Sequence, residues 1–113
     1  EICAGVAAAY GAKIDVDIRD IFSVMRNADV QTAAMADAAT ELFGAEHVVT
    51  DAEPKMGSED FADMAMAAPG AYVWLGMGPG PSVHNPGYTF NDEILPIGAS
   101  LFARVAEKRL AAG

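Results

Sequence analysis

The sequence predicts an α/β fold, and three observations support that prediction. From residue 28 onward, segments with a helical apolar period alternate with short apolar runs, as they do in layered α/β folds. Before residue 23, one segment alternates strictly between apolar and charged residues, which is typical of a strand with one solvent-exposed face. The chain has 113 residues, of which 52 % are hydrophobic, and that is enough for a globular domain with its own core.

The N-terminal region is predicted to form a helix followed by a strand. Ile2, Val6 and Tyr10 share one helical face, and Gly11 follows as a C-terminal stop. Residues 13–20 form the alternating segment, and the residues on its apolar face are all β-branched: Ile14, Val16 and Ile18. The other face is charged, so we expect it to meet water or a partner.

A long helix is predicted after the first strand. Asn27 is the expected N-cap, and Asp29 places a negative charge in the first turn, where the helix dipole favours it. Apolar residues then recur every four positions until Gly44 ends the helix: Val30, Ala34, Ala38 and Leu42. The short apolar run at residues 48–50 is compatible with a strand.

A shorter helix, a buried strand and a last helix complete the predicted order. Ser58 is expected to cap the shorter helix, which Pro69 and Gly70 stop. Residues 72–75 form a continuous apolar run, as expected of a strand buried on both faces, with Trp74 beneath the loop that follows. Pro96 opens the last helix, which has two cations in its final turn.

Composition excludes several classes of partner. The chain has 7 Lys and Arg against 16 Asp and Glu, a net charge of −9 at pH 7, and a negative surface repels both nucleic acid and anionic membranes. Cys3 is the single cysteine, so an internal disulfide or a cysteine-based zinc site is excluded. Apolar runs are far shorter than the ~20 residues of a membrane span and no signal peptide is visible, which favours a cytoplasmic protein.

The turn-rich loop from Gly76 to Glu93 contains the first candidate functional residue, His84. Pro86 restricts the backbone of Asn85 and so stiffens the loop beside the imidazole. A neutral imidazole can bind a metal or transfer protons near neutral pH. The alternative is a loop histidine bonded to a backbone carbonyl, and His47 is interpreted as structural in that way.

Residues 56–61 form a second candidate region, in which Gly57, Ser58 and Glu59 are the predicted substrate-binding residues. Gly57 would let the backbone approach a ligand closely, and a following helix N-terminus offers amide donors. Glu59 and Asp60 would repel an anion, so a capped helix start explains the same residues. Ser58, His84 and an Asp could be interpreted as a hydrolase triad, but no Gly-x-Ser-x-Gly elbow surrounds Ser58, which argues against this alternative.

Four ordered motifs resemble the carboxyl-terminal part of the M20 metallopeptidase family, in its amidohydrolase branch of hippurate and auxin-conjugate hydrolases. They are Met56–Phe61, then Pro69–Tyr72 with Leu75-Gly76, then His84-Asn85-Pro86 with Tyr88 and Phe90–Asp92, and finally Leu95-Pro96 with Gly98-Ala99. In that family a lid and dimerisation domain is inserted into the catalytic domain. By this resemblance, residues 1–22 are the last helix and strand of an α+β lid, residues 23–27 a hinge, and residues 28–113 the carboxyl-terminal part of the catalytic domain.

The resemblance implies metal-dependent hydrolysis of the amide bond of an N-acyl amino acid or a similar small amide. His84 matches the last histidine ligand of a site that holds two divalent ions, zinc or manganese. The family's other ligands and its catalytic base lie upstream of the matching region, so no catalytic residue is assigned in this chain. We therefore expect the segment to be inactive alone, to work with the rest of its own chain, and to allow a homodimer through the lid.

Two other interpretations remain open at the level of sequence. The chain could be a non-catalytic fragment or paralogue that acts as a binding or association module, or a free-standing acidic domain. Residues upstream of Glu1 discriminate between them, because a Cys-x-His pair and a Glu-Glu pair there would favour the enzyme. A free-standing domain would also need the charged strand at residues 13–20 to be covered or paired.

Overall fold

A computed structural model describes residues 1–111, and within them the regular elements are four α-helices and two 3-10 turns. The helices are α1 (Ile2–Tyr10), α2 (Asp29–Phe43), α3 (Phe61–Ala67) and α4 (Leu95–Ala111), and the 3-10 turns are Ala45–His47 and Asp92–Ile94. None of the helices formed by residues 1–111 is long and apolar enough to cross a membrane.

The predicted α/β fold class is wrong, because no segment of residues 1–111 forms a strand or a sheet. The three segments expected to be strands, residues 13–20, 48–50 and 72–75, have no regular secondary structure. A strand exists through hydrogen bonds to a neighbouring strand. Alternating or continuous apolar residues indicate which side chains favour burial, but they do not supply that neighbour.

The first two helices end where local sequence signals predict, whereas the predicted N-caps are not formed. Helix α1 ends at Gly11, whose φ of 63° is left-handed and whose N–H donates to the carbonyls of Ala7 and Ala8. Helix α2 ends at Gly44, as predicted, but its N-cap is Ala28 and not Asn27. Helix α3 begins after Asp60 without a side-chain cap, so the predicted cap by Ser58 is also wrong.

Helices α2 and α4 pack together and form the main core. Met35 and Ala38 of α2 and Leu101 of α4 are buried, and three partly buried residues pack around them: Ala39, Phe43 and Val105. On the rim of this contact, the Glu41 carboxylate accepts hydrogen bonds from Arg104 and, at 3.1 Å, from the Lys108 ammonium. These two cations hold the pKa of Glu41 below its ordinary value.

The extended segment at residues 70–77 connects α3 to the core. A Cβ at Gly70 would lie 3.0 Å from Cζ of Phe61 in α3, and one at Gly98 of α4 would lie 3.4 Å from Cδ2 of Leu75. The absence of side chains at these two glycines therefore lets the segment approach α3 near one end and α4 near the other. The Ala28 N–H donates to the Gly70 carbonyl over 2.9 Å.

The chain does not close around this small core. Its radius of gyration is 20.5 Å, whereas a compact domain of this length has a radius of about 13 Å. Helix α1 contacts no other helix among residues 1–111. Trp74, predicted to be buried, is 76 % exposed, so that prediction is wrong for the same reason as the strand prediction.

Candidate functional site

Two consecutive turns form the part of the loop that contains His84. The N–H of Asn85 donates to the Ser82 carbonyl over 3.1 Å, and the N–H of Tyr88 donates to the Asn85 carbonyl over 2.9 Å. The side-chain oxygen of Asn85 accepts a further hydrogen bond from the Gly87 N–H at 2.8 Å. Asn85 therefore holds both turns together, and the His84 backbone lies within the first of them.

His84 itself adopts an uncommon backbone conformation. Its φ is 69°, and within residues 1–111 it is the only non-glycine residue with a positive φ. Histidine is one of the few residue types enriched in this left-handed region, and such backbone conformations concentrate at functional sites. The conformation directs attention to His84 independently of any sequence motif.

Two side chains tie the end of the loop to its beginning at Met77. The Tyr88 hydroxyl donates to the Met77 sulfur over 3.4 Å, and the Asn91 side-chain amide donates to the Met77 carbonyl over 3.3 Å. The Asn91 side-chain oxygen also accepts from the Glu93 N–H at 3.0 Å and so caps the second 3-10 turn. The loop is thus closed at its base and joined to the start of α4.

The His84 side chain is exposed and makes no hydrogen bond or ion pair with the other residues between 1 and 111. Across this same range, no three His, Cys, Asp or Glu side chains lie together as they would around a metal ion. An exposed imidazole fits as one ligand of a divalent metal, but a coordination shell needs several. The donor chemistry of this segment therefore fits a single-ligand contribution.

The second candidate region, Gly57 to Glu59, lies on the surface ahead of α3. Gly57 and Ser58 are exposed and open space surrounds the Cβ position of Gly57, whereas Glu59 is half-buried. The Glu59 carboxylate accepts from the Phe61 N–H at 3.1 Å. It also interacts with the phenol of Tyr72, and this hydrogen bond, followed by partial burial, raises the pKa of Tyr72.

An aromatic row continues from this region along the extended segment. The rings of Phe61 and Tyr72 are 5.9 Å apart, and those of Tyr72 and Trp74 are 5.8 Å apart in an edge-to-face arrangement. Asn27 binds the backbone of Tyr72 twice, donating to its carbonyl at 2.8 Å and accepting from its N–H at 2.7 Å. No sequence signal near Asn27 indicates this clamp. The aromatic row does have a signal, because the two-residue spacing of Tyr72 and Trp74 places them on one face of an extended segment.

Within residues 1–111, no hydrogen bond or ion pair joins Gly57–Glu59 to His84. One surface concavity of about 740 Å³ lies between α1 and residues 14–18, and another of about 170 Å³ lies between α2 and α4. Neither contains a candidate residue. His47, interpreted as structural, is exposed with its Nε2 atom 3.9 Å from the Glu46 carboxylate.

The class of protein follows from comparison with known sequences. The profile of peptidase family M20/M25/M40 matches residues 3–108, which confirms the resemblance inferred from the four motifs. The chain belongs to this family, whose members are generally metal-dependent. No solved structure matches it.

The individual relatives of this chain are named as hydrolases or deacetylases. The chain is 33 % identical to hippurate hydrolase of Campylobacter jejuni over 97 % of its own length and 29 % of the relative's. It is 30 % identical to N-acetylcysteine deacetylase of Bacillus subtilis over 93 % of its length and 27 % of the relative's. It is 40 % identical to IAA-amino acid hydrolase ILR1-like 4 of Arabidopsis thaliana over 62 % of its length and 17 % of the relative's. The chain thus spans less than a third of each of these relatives.

Proposed function

We propose that this chain is the carboxyl-terminal segment of a metal-dependent amidohydrolase that cleaves the amide bond of an N-acyl amino acid or a similar small amide. The single observation that carries the proposal is the family match over residues 3–108. The names of the relatives, a hippurate hydrolase and an N-acetylcysteine deacetylase among them, support the substrate class. The geometry of the His84 loop supports the placement of the site.

His84 is the residue of this segment that would hold a metal ion. Its imidazole is exposed and makes no bond to residues 1–111, and its backbone is held in a left-handed turn. A bound divalent ion would supply polarisation of the amide carbonyl and a lowered pKa of a bound water. The remaining ligands and the catalytic base would come from the rest of the same protein, in a site of two zinc or manganese ions.

Gly57, Ser58 and Glu59 are proposed to contribute to substrate binding. The backbone at Gly57 is open to a close approach, since open space surrounds the position of its absent side chain. The Glu59 carboxylate accepts a hydrogen bond from the Phe61 N–H, which orients it before a substrate arrives. A carboxylate in this position would favour an amide N–H or a cation over an anion.

The arrangement of the complete protein is proposed on the same basis. Residues 1–22 belong to a lid and dimerisation domain, residues 23–27 to a hinge and residues 28–113 to the catalytic domain, with a homodimer formed through the lid. We expect this protein in the cytoplasm. We also expect neither nucleic acid nor an anionic membrane as a partner, because the charge of the chain is strongly negative.

The proposal is tested by His84→Ala, with His47→Ala as the matched control, in the complete protein. We expect His84→Ala to lose bound metal and most hydrolysis of a panel of N-acetyl and N-benzoyl amino acids. His47→Ala should change both little, because His47 lies in an exposed 3-10 turn. Equal and mild effects of the two substitutions would overturn the assignment of His84. If the unsubstituted protein bound these amides without hydrolysing them, the result would favour a binding or association module.

A further inference from the structure

Three side chains stand out in the loop that contains His84 because they are the half-buried ones. Between residues 73 and 91, only Met77, Tyr88 and Asn91 are half-buried, and the other residues are exposed. They are also the three residues joined by hydrogen bonds at the base of the loop, where Tyr88 and Asn91 both donate to Met77. We call Met77, Tyr88 and Asn91 the anchor cluster.

Two members of the anchor cluster lie at equal distances from His84 in the sequence. Met77 is seven residues before His84, and Asn91 is seven residues after it. Closing the base of such a loop removes many of the conformations that its centre could otherwise adopt. A metal-binding side chain that is already held in one place loses less conformational entropy when the metal binds. The closure therefore bears directly on the position of the imidazole.

Asn91 has the largest share in this closure, because its side chain makes two bonds of different kinds. The amide nitrogen donates to the Met77 carbonyl, which closes the loop, and the amide oxygen caps Glu93 at the start of the second 3-10 turn. An uncharged amide can do both at once, because its nitrogen donates while its separate oxygen accepts. Asn91 thus connects the loop to the turn that runs into α4.

We infer that Asn91 is a positioning residue for His84: it fixes the loop so that the imidazole is presented to a divalent metal ion. This inference rests on the proposed function, in which His84 is a metal ligand. Asn91 makes no contact with the metal or the substrate in this scheme. Its effect is transmitted through Met77 and the two turns of the loop.

Two substitutions separate the two bonds of Asn91 in the complete protein. Asn91→Asp keeps an oxygen that can cap Glu93 but removes the amide donor to Met77. Asn91→Ser also keeps a capping oxygen, adds no charge, and lacks the amide nitrogen that reaches Met77. Asn27→Asp is the control, because Asn27 also donates its side-chain amide to a backbone carbonyl, that of Tyr72. The measurements are Zn²⁺ affinity by chelator competition, the visible spectrum of the Co²⁺-substituted protein, and the thermal unfolding midpoint.

We expect both Asn91 variants to bind Zn²⁺ about tenfold more weakly, the lower end of the effect seen when groups that orient metal ligands are removed. The Co²⁺ spectrum should change with them, whereas Asn27→Asp should alter the unfolding midpoint and leave affinity and spectrum unchanged. Unchanged affinity and spectrum in both Asn91 variants, with metal lost in His84→Ala, would overturn the inference and leave the proposed function standing. Full metal binding by His84→Ala would overturn the proposed function and this inference with it.

Discussion

At the scale of single residues, Tyr72 is the position where several parts of the chain meet. Asn27 binds both its N–H and its carbonyl, its ring lies between those of Phe61 and Trp74, and the Glu59 carboxylate raises its pKa. A candidate substrate-binding carboxylate therefore acts on a residue of the extended segment. This gives Tyr72 a measurable titration.

We expect Glu59→Gln to lower the pKa of Tyr72 toward its ordinary value of 10.0. The carboxylate opposes ionisation of the phenol because it accepts its proton in a hydrogen bond and repels the phenolate charge. In the folded state Tyr72 thus keeps its proton to higher pH than in the unfolded state, so this contribution to stability is present below pH 10 and is lost as the pH rises. Phenolate absorbance during a pH titration measures the effect.

Tyr72→Phe identifies which of the phenolate transitions belongs to Tyr72, because the chain has three tyrosines. An identical titration of this tyrosine with and without the Glu59 carboxylate would contradict the interaction. Asp60→Asn is the matched control, since Asp60 is the adjacent acid and is not among the causes of the raised pKa.

At the scale of elements, the packing of α2 against α4 is the contact that gives this chain a core. Leu101 of α4 is 8 % exposed and Ala38 of α2 is fully buried. Ion pairs of Glu41 with Arg104 and Lys108 lie at the exposed rim, where such pairs contribute little free energy. The apolar contact therefore determines how firmly the two helices are held.

Leu101→Ala should lower the free energy of unfolding of this region by about 2–5 kcal/mol, since it removes buried apolar surface and leaves a cavity. Leu110→Ala on the same helix should change it by less than about 0.5 kcal/mol, because Leu110 is 83 % exposed. Denaturant unfolding followed by helical circular dichroism gives both values. A loss at Leu110 as large as that at Leu101 would mean that α4 is covered on its opposite face.

At the scale of the whole molecule, the chain is extended and much of its apolar surface is uncovered. Its dimensions are 66 × 39 × 20 Å, and among residues 1–111 the buried apolar residues are confined to the α2–α4 contact and Ala62 of α3. Large apolar side chains of α1 and of residues 14–18 are exposed. This is the surface expected of a segment that packs against the rest of a longer protein, as the proposed function requires.

Small-angle scattering of the 113-residue chain should give a radius of gyration near 20.5 Å and not the ~13 Å of a compact domain. The emission of Trp74, the single tryptophan, should be that of a solvated indole, because the residue is 76 % exposed. In the complete protein we expect a shift of this emission to shorter wavelength. A compact radius together with a blue-shifted emission from the chain alone would contradict the extended arrangement.

Prediction from sequence succeeded where the signal was local. The long helix was expected to end at Gly44 and the first at Gly11, and both do, because a glycine stop depends only on neighbouring residues. The predicted cap by Asn27 failed for a specific reason: its side chain binds Tyr72, which is 45 residues away. A distant partner of this kind has no signature in the residues around Asn27.

The sequence by itself determined the family, the carboxyl-terminal ends of the first two helices and the choice of His84 as the candidate ligand, because each depends on residue types at short spacing. The tertiary structure alone decided that the apolar runs remain unpaired and that Trp74 is exposed. It alone also placed Asn91 and Tyr88 on Met77. Pairing, burial and loop closure depend on groups far apart in the chain, and their energies are set only when the fold brings those groups together.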